Sequence, residues 1–499
     1  MASVTSTTSA CCLALSLALR GKVSLPGSPA YTASLESYFS LQEAGVHPAC
    51  VVSPQTAQDV SAAVRILTTT APSRPSPVSP AVVGCRFAVR SGGHASFAGA
   101  ANLEGGVTMD LSGLSSIALR PPGVDVAAAG VTPPTVSVGV GSTWGSVYAH
   151  LDALQLGVGG GRATAIGVGG LTLGGGISYF GPRRGWTCDS VTNFEVVLAN
   201  GTLANANDDE NPDLLWALRG GTNNLAIVTR VDLQTFPQGD LWGGQVVRPF
   251  ETADEQIVAL AAFNDPESYD EFASLITTFA YSGAQDVRVV VNNMEYTKPV
   301  ADPPAFRALA RMAALSSTQR ITNMSDLAAE TQANNPRGFR QASATLTITS
   351  SITAINATVL AWNASVASVR SIPGIVWAVG MDPLPALLYA RHASSNALGL
   401  ANRDGRALII VNLNMVWTDA VNDDAVDKAA RALVAAIQRD VGKLNALDPF
   451  LYANYAASWQ RPLESYGEAS VEKLRRVQRA YDPGRVFTDL VPGGFKIPE

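Results

Sequence analysis

Arg90-Ser91-Gly92-Gly93-His94-Ala95-Ser96 follows directly on a strand-like run, Arg86-Phe-Ala-Val-Arg90. A strand that ends in paired glycines lets successive backbone N–H groups converge on one point, which makes a nest for an anion. A Gly-Gly pair alone reads as a tight hairpin turn. The histidine inside it is unusual, because turns favour Asn, Asp and Ser there. Further along comes a second glycine-dense segment, Gly159-Gly-Gly-Arg162-Ala163-Thr-Ala-Ile-Gly167-Val-Gly169-Gly170-Leu-Thr172-Leu-Gly174-Gly175-Gly176. It lets backbone approach something large and flat, or a second phosphate. No Gly-Lys-Ser/Thr follows, so it is not a Walker loop. No strand-turn-helix unit and no suitably spaced acid surround it, so the Rossmann reading is weak. Two such loops in one strand-rich region suit the two ends of a dinucleotide.

The rest of the chain sets the frame. It has 499 residues, 47% apolar and 15% charged, which is a folded composition long enough for two domains. With 35 basic against 41 acidic residues the net charge is −6, and no basic cluster suits a nucleic-acid backbone. Lys473-Leu-Arg475-Arg476 reads as the solvated face of a helix. No stretch approaches the roughly 18 apolar residues of a membrane span. The nearest, Cys11 to Leu19, reads as a short buried helix or as a signal-peptide core lacking its basic flank. Cys11, Cys12, Cys50, Cys85 and Cys188 form either two disulfides with a free thiol or five buried thiols. Without CxxC or a histidine pair, metal ligation is not expected. Glycosylation sequons stand at Asn200, Asn323, Asn356 and Asn363.

Periodicity predicts helices over 54–67, 143–156 and 213–218, and strands over 81–90, 107–111, 135–140, 192–198 and 226–235. Residues 1–45 read as helix and then loop, and 71–80 as a proline-rich loop. Beyond Pro237 glycine thins out. Helices are predicted over 251–263 and 303–315, and strands over 287–291, 344–349, 376–379 and 407–416, an α+β block with an antiparallel sheet. A last helix is predicted over 468–481. No repeat is found.

Arg90-Ser-Gly-Gly-His94 followed by Val107-Thr-Met-Asp-Leu111 resembles the phosphate loop of the vanillyl-alcohol-oxidase-type FAD domain. Further motifs agree in order: Gly167-x-Gly-Gly-x-x-x-Gly-Gly-Gly176, Asp189-Ser-Val191, Asp213-Leu-Leu-Trp-Ala-Leu-Arg-Gly-Gly221, Asn396-Ala-Leu-Gly-Leu400 and Tyr481-Asp-Pro-Gly-Arg-Val-Phe487. The set is similar to the berberine-bridge-enzyme-like branch, particularly its fungal members.

The resemblance implies an α+β fold with a two-subdomain FAD-binding domain and an α+β substrate domain whose antiparallel sheet roofs the flavin. Its expected ranges are an N-terminal helical segment (1–42), the FAD domain (43–240), the substrate domain (241–445) and a returning C-terminal segment (446–499). It implies FAD attached through His94 to the flavin 8α-methyl. The second, cysteinyl attachment of many relatives falls on Ala163, so one covalent link is expected. Cofactor contacts are expected at Arg90, Ser91, Gly92, Gly93, His94, Ala95, Gly167, Gly169, Gly170, Thr172, Gly174, Gly175, Gly176, Val228 and Asn454.

The run Tyr452-Ala-Asn454-Tyr455 resembles the family's Tyr-x-Asn-Tyr strand beside the flavin. It makes Tyr455 the candidate base, with His392 and Tyr389 as alternatives. As a regular strand it would point Asn454 and Tyr455 to opposite faces. The implied function is an FAD-dependent oxidase of a small organic substrate, a secondary metabolite, with O2 as acceptor. A carbohydrate or alcohol oxidase, a dehydrogenase of the same fold, and a non-redox binder are the competing readings. No nucleic-acid or membrane partner is expected. By resemblance to secreted fungal enzymes, two disulfides are expected among Cys11, Cys12, Cys50 and Cys85, Cys188 stays free, and the protein is extracellular or in the secretory pathway; a cytoplasmic location is the alternative.

Overall fold

The computed structural model describes residues 2–69, 84–120, 124–125, 130–131 and 134–499. The proline-rich stretch 71–80 and positions 81–83 of the expected strand 81–90 lie outside the described residues. Cys50–Val52 is buried throughout and pairs in parallel with Val107–Asp110, which pairs in parallel with Phe87–Arg90. Val23–Ser24 closes the other edge, antiparallel. Strands covered on both faces carry continuous apolar runs, which is how Cys50-Val-Val52 reads. A second sheet is antiparallel, in the order Leu203–Ala206, Val191–Val197, Ile227–Gln234, Thr135–Gly139, Ile117–Arg120. Ala57–Thr69 turns Val60, Ala63, Val64 and Leu67 inward and packs on Val191–Val197 and on the N-terminal helix Ala2–Ala18.

That N-terminal helix belongs to the folded body. Cys11 and Leu15 are fully buried in the first core, and adjacent cysteines leave the helix in two disulfides, Cys11–Cys85 and Cys12–Cys50. Cys188 is free and buried.

The block after Pro237 is built on a nine-stranded antiparallel sheet. Its central order is Leu241–Pro249, Val287–Tyr296, Ala273–Ser282, Val376–Leu384, Leu408–Trp417, Arg340–Thr349. Ala273–Ser282 alternates buried and half-buried residues, as a sheet with one covered face requires. Ala253–Phe263, Ile352–Val369 and Asp423–Gly442 supply the helical cover, and a second core forms there around Trp362, Trp377 and Leu433. The class is therefore α+β, with an antiparallel sheet in the later block. The final helix, Glu468–Tyr481, packs on Pro212–Leu218, and Leu474, Phe487 and Ile497 join the first core.

Three expectations change. The predicted helix 303–315 is cut to a 3-10 turn at Pro304–Phe306 and a single turn at Arg307–Ala310. Arg248 takes the carbonyls of Met312 and Ala313, and Leu315 N–H bonds to Val247, so sheet pairing overrides helical propensity there. Ile352–Val369, eighteen residues with mean hydropathy 1.3, is long and apolar enough to cross a membrane by length and composition. Its apolar face is spent on the sheet instead: Ile355, Val359, Trp362 and Val366 are buried, and Trp362 Nε1 donates to Trp377 O. The expected strand at 452–455 is also not a strand: Ala453–Tyr455 is a 3-10 turn.

Candidate active site

The two glycine-rich segments meet. A Cβ on Gly92 would stand 2.5 Å from Gly167 Cα, so both positions must be glycine for the backbones to touch. Gly93 takes φ +63°, the left-handed conformation that turns the strand end. A third segment, Val140–Ser142, completes the junction: Ser91 Oγ donates to Val140 O (2.6 Å) and accepts from Gly169 N–H (3.1 Å), while Val168 N–H bonds to Ser142 O (3.0 Å). The sequence reading did not single out this third segment, because Val140-Gly-Ser carries no glycine pair. Within the second segment, Gly167 precedes a short helix, Val168–Leu173.

His94 stands beside this junction with its ring stacked on Phe39, 3.9 Å between centroids and 10° between planes. Burial pushes its pKa down to about 4, so the imidazole is neutral near pH 7. Its Nε2 is buried without a hydrogen-bond partner, and so is Ser142 Oγ. Buried polar atoms are normally satisfied, so two orphans at one junction mark a place shaped for another group.

Other expected contacts are spent inside the protein. Arg90 lies beneath the turn, over the Tyr38 ring at 4.0 Å, and bonds Ser34, Ser37 and Asp110. Thr172 Oγ1 donates to Val168 O within its own helix and is fully buried. Asn454 Nδ2 donates to Leu171 O (3.0 Å), and its Oδ1 fills the space where Gly174 lacks a side chain. Tyr452 Oη accepts from the N–H groups of Gly176 and Ile177, at 3.1 Å each. Residues 452–454 therefore clamp the far end of the glycine run. Gly175 packs against Leu398, and Gly170 has open space where a Cβ would be. Val228 is buried in Ile227–Gln234, opposite Val196, and Ala95 offers its carbonyl to Ser40 Oγ.

The 3-10 turn at 453–455 lets Asn454 and Tyr455 serve one region, which an alternating strand would forbid. Tyr455 Oη accepts a hydrogen bond from Arg162 Nη2, and Arg162 Nη1 donates to Asp382 Oδ1 at 2.6 Å. Arg162 precedes Ala163 in the glycine-rich segment, whereas Asp382 lies on Val376–Leu384 of the large sheet. The ion pair is buried, with side chains 10% and 5% exposed. Burial pushes the Tyr455 phenol well above its ordinary pKa; Arg162 opposes this, and Asp382 adds to it. Next to the pair, Tyr179 bonds Thr331 (3.1 Å), and Tyr452 meets Tyr455 edge-on at 4.9 Å. Glu295 is buried with Oε2 unpartnered; burial pushes its carboxyl well above the usual range, and Arg162 pulls it back.

Arg162, Asp382 and Glu295 escaped the sequence reading, since nothing local ties residues 220 positions apart. The alternative bases fare differently. The Tyr389 hydroxyl is committed to Arg406 O, and His392 lies against Gly185 with its pKa lowered by burial and by Arg391. Asn396 of the later block bonds Asp189 (2.8 Å), whose carboxyl burial raises to about 6.

Comparison with known proteins matches residues 48–207 to the FAD binding domain. The chain is 41% identical, over 96% of its length, to the protein named oligopeptidase PhomG' of Diaporthe leptostromiformis, but spans only 36% of that protein. It is 35% identical to the FAD-dependent monooxygenase sdcF of Emericella nidulans, covering 98% of both chains. Among solved structures, the xylooligosaccharide oxidase of Myceliophthora thermophila superposes with TM-score 0.75 at 20% identity, covering 99% of this chain and all of that one. The glucooligosaccharide oxidase of Acremonium strictum, described with a 6-S-cysteinyl, 8α-N1-histidyl FAD, gives 0.74 at 19% identity over 99% of both.

Proposed function

We propose, because this chain belongs to the vanillyl-alcohol-oxidase-type, berberine-bridge-enzyme-like family of FAD-dependent oxidoreductases, that it is an oxidase of a small organic metabolite, holding FAD covalently through His94 and passing electrons to dioxygen. The observation that carries this reading is the His94 ring: held by Phe39 beside the glycine junction, neutral, and with Nε2 buried and unpartnered. A neutral imidazole with a free nitrogen is the nucleophilic form needed for a carbon–nitrogen bond. Ala163 offers no sulfur, which supports a single link. The unpartnered Ser142 hydroxyl and the backbone around Gly92 and Gly167 would hold the phosphates, with Ser91 tying the two segments together. We divide the chain into a cofactor part, 43–240 with 446–499 returning to it after the segment 1–42, and a substrate part, 241–445; the first core gathers mostly the former and the second mostly the latter, while Met324, Leu388 and Leu408 of the later block join the first. The two disulfides support an oxidising compartment.

When bound, FAD supplies a two-electron acceptor that no side chain provides. The chain's own part is to remove the substrate's proton. Tyr455 stands where the glycine-rich segment meets the large sheet, with its oxygen fixed by Arg162, and in its phenolate form it takes that proton. Glu295 and Tyr179 line the same interior.

Acid-precipitated protein should stay yellow and flavin-fluorescent, and His94→Ala should release the flavin; loss of all flavin from the parent would overturn the covalent link. Photoreduced protein admitted to air should regain its oxidised spectrum rapidly, and slow recovery would make it a dehydrogenase. The sdcF relative is named a monooxygenase. Isotopically labelled dioxygen separates the two chemistries: label in hydrogen peroxide alone supports the oxidase, and label in the product assigns oxygen insertion.

A further inference from the structure

We propose that Arg162 is the positioning residue of the proton-transfer site: its guanidinium holds the Tyr455 oxygen as an acceptor, and Asp382 is the counter-charge that limits its pull. This rests on the reading of Tyr455 as the group that takes the substrate's proton. The geometry is specific. One guanidinium forks, giving Nη2 to Tyr455 and Nη1 to Asp382, beneath a phenol that is itself only partly buried. Arginine suits this role because its planar fork is rigid and always charged. Tyr455 can accept a proton only if a negative oxygen is tolerable there, and burial works strongly against that.

The charges facing Tyr455 come from every element around it. Arg162 of the glycine-rich segment favours the phenolate. Asp382 on Val376–Leu384 disfavours it, and so does the Tyr452 hydroxyl within its own turn. Behind Arg162 stand Tyr179 and Glu295, and behind Glu295 stands Glu330. Arg162 is the cation that hydrogen-bonds Tyr455 and the leading opponent of its desolvation. Asp382 holds it in place but spends part of its field. In the transfer, the substrate's bond to its proton breaks and a new O–H bond forms at Tyr455. The oxygen loses its negative charge, and the Arg162 hydrogen bond weakens accordingly.

The two partners therefore push Tyr455 in opposite directions, a signature no purely structural role produces. The test is carbon-13 nuclear magnetic resonance of the FAD-loaded protein labelled at tyrosine Cζ, with Tyr455→Phe identifying the signal. Asp382→Asn should lower the pH at which Tyr455 titrates by about one to two units, the worth of a charge-assisted hydrogen bond freed from its competitor. Adding Arg162→Met to Asp382→Asn should send the titration back up, and Arg162→Lys in its place should retain part of the fall. A double variant that titrates with Asp382→Asn alone, or an Asp382→Asn shift to higher pH, would overturn the proposal. No substrate is turned over in this measurement, so its failure is distinct from failure of the Tyr455 reading, which the Tyr455→Phe reduction rate tests. Near-ultraviolet circular dichroism of each variant confirms that the fold is kept, and the Lys variant carries the test if the Met variants do not fold.

Discussion

A partly buried phenol beside one guanidinium and one carboxylate has its chemistry set by a single oxygen atom, and Tyr455→Phe removes that oxygen with little change in volume. Folding and flavin attachment should survive. Flavin reduction by substrate under nitrogen should slow by about 10²–10⁴-fold, the usual worth of general-base catalysis. An unchanged rate with weaker binding would leave Tyr455 a binding group. Glu43 makes a separate prediction. Its carboxylate accepts N–H groups from Gly99 (2.9 Å) and Ala101 (2.6 Å), yet burial raises its pKa to about 7. The folded state thus holds a proton that the unfolded chain releases near its ordinary value of 4.5. Stability from this group is full below that value and is lost as pH rises toward 7. Glu43→Gln cannot lose it, so its melting temperature relative to the parent should climb between pH 5 and pH 8. A constant difference would refute the assignment.

At the level of elements, the glycine segments and the turn at 453–455 work as one clamp. Gly167→Ala drives a methyl into the backbone of Gly92, where there is no flexible side chain to move aside. Overpacking of this kind costs about 1–3 kcal/mol. The variant should purify with less flavin and a lower urea midpoint, and parental flavin content would show that the junction can open. The glycine segments were legible in the sequence because a missing side chain is itself the signal. The turn was misread for a physical reason: Tyr-x-Asn-Tyr alternates like a strand, but Tyr452 and Asn454 spend their polar groups on the glycine run, and the backbone closes into a 3-10 turn to let them. The helix foreseen over 303–315 failed in the same way, since Arg248 claims its carbonyls from another strand. Local pattern announces what a segment prefers; it is silent about a distant side chain that needs its backbone.

Over the whole molecule, the α+β class and the antiparallel sheet were readable from periodicity and motif order, because both are repeated many times along the chain. The Arg162–Asp382 pair was not, because each partner makes sense only once two cores are brought together. The cysteines fall between these cases. Their number and crowding toward the chain start left two bridges or five thiols open, the family resemblance implied two bridges, and the partners needed the helix to be seen in place. Thiol titration of unreduced, denatured protein should count one thiol, Cys188. Replacing Cys12 and Cys50 together by serine should cost about 2–4 kcal/mol in unfolding free energy.

The same bridges impose an order on biosynthesis. Cys11 and Cys12 leave the ribosome side by side, Cys50 reaches the exit next, and Cys85 is last. For a while Cys50 has two candidate mates and nothing but helix phase to choose between them, since neighbours on a helix point about 100° apart. A chain stalled between the third and fourth cysteines is the moment of decision, and a mistaken Cys11–Cys50 link made then would strand Cys12 opposite Cys85. Yield of this protein should therefore depend on disulfide isomerase supply more steeply than a two-bridge count suggests.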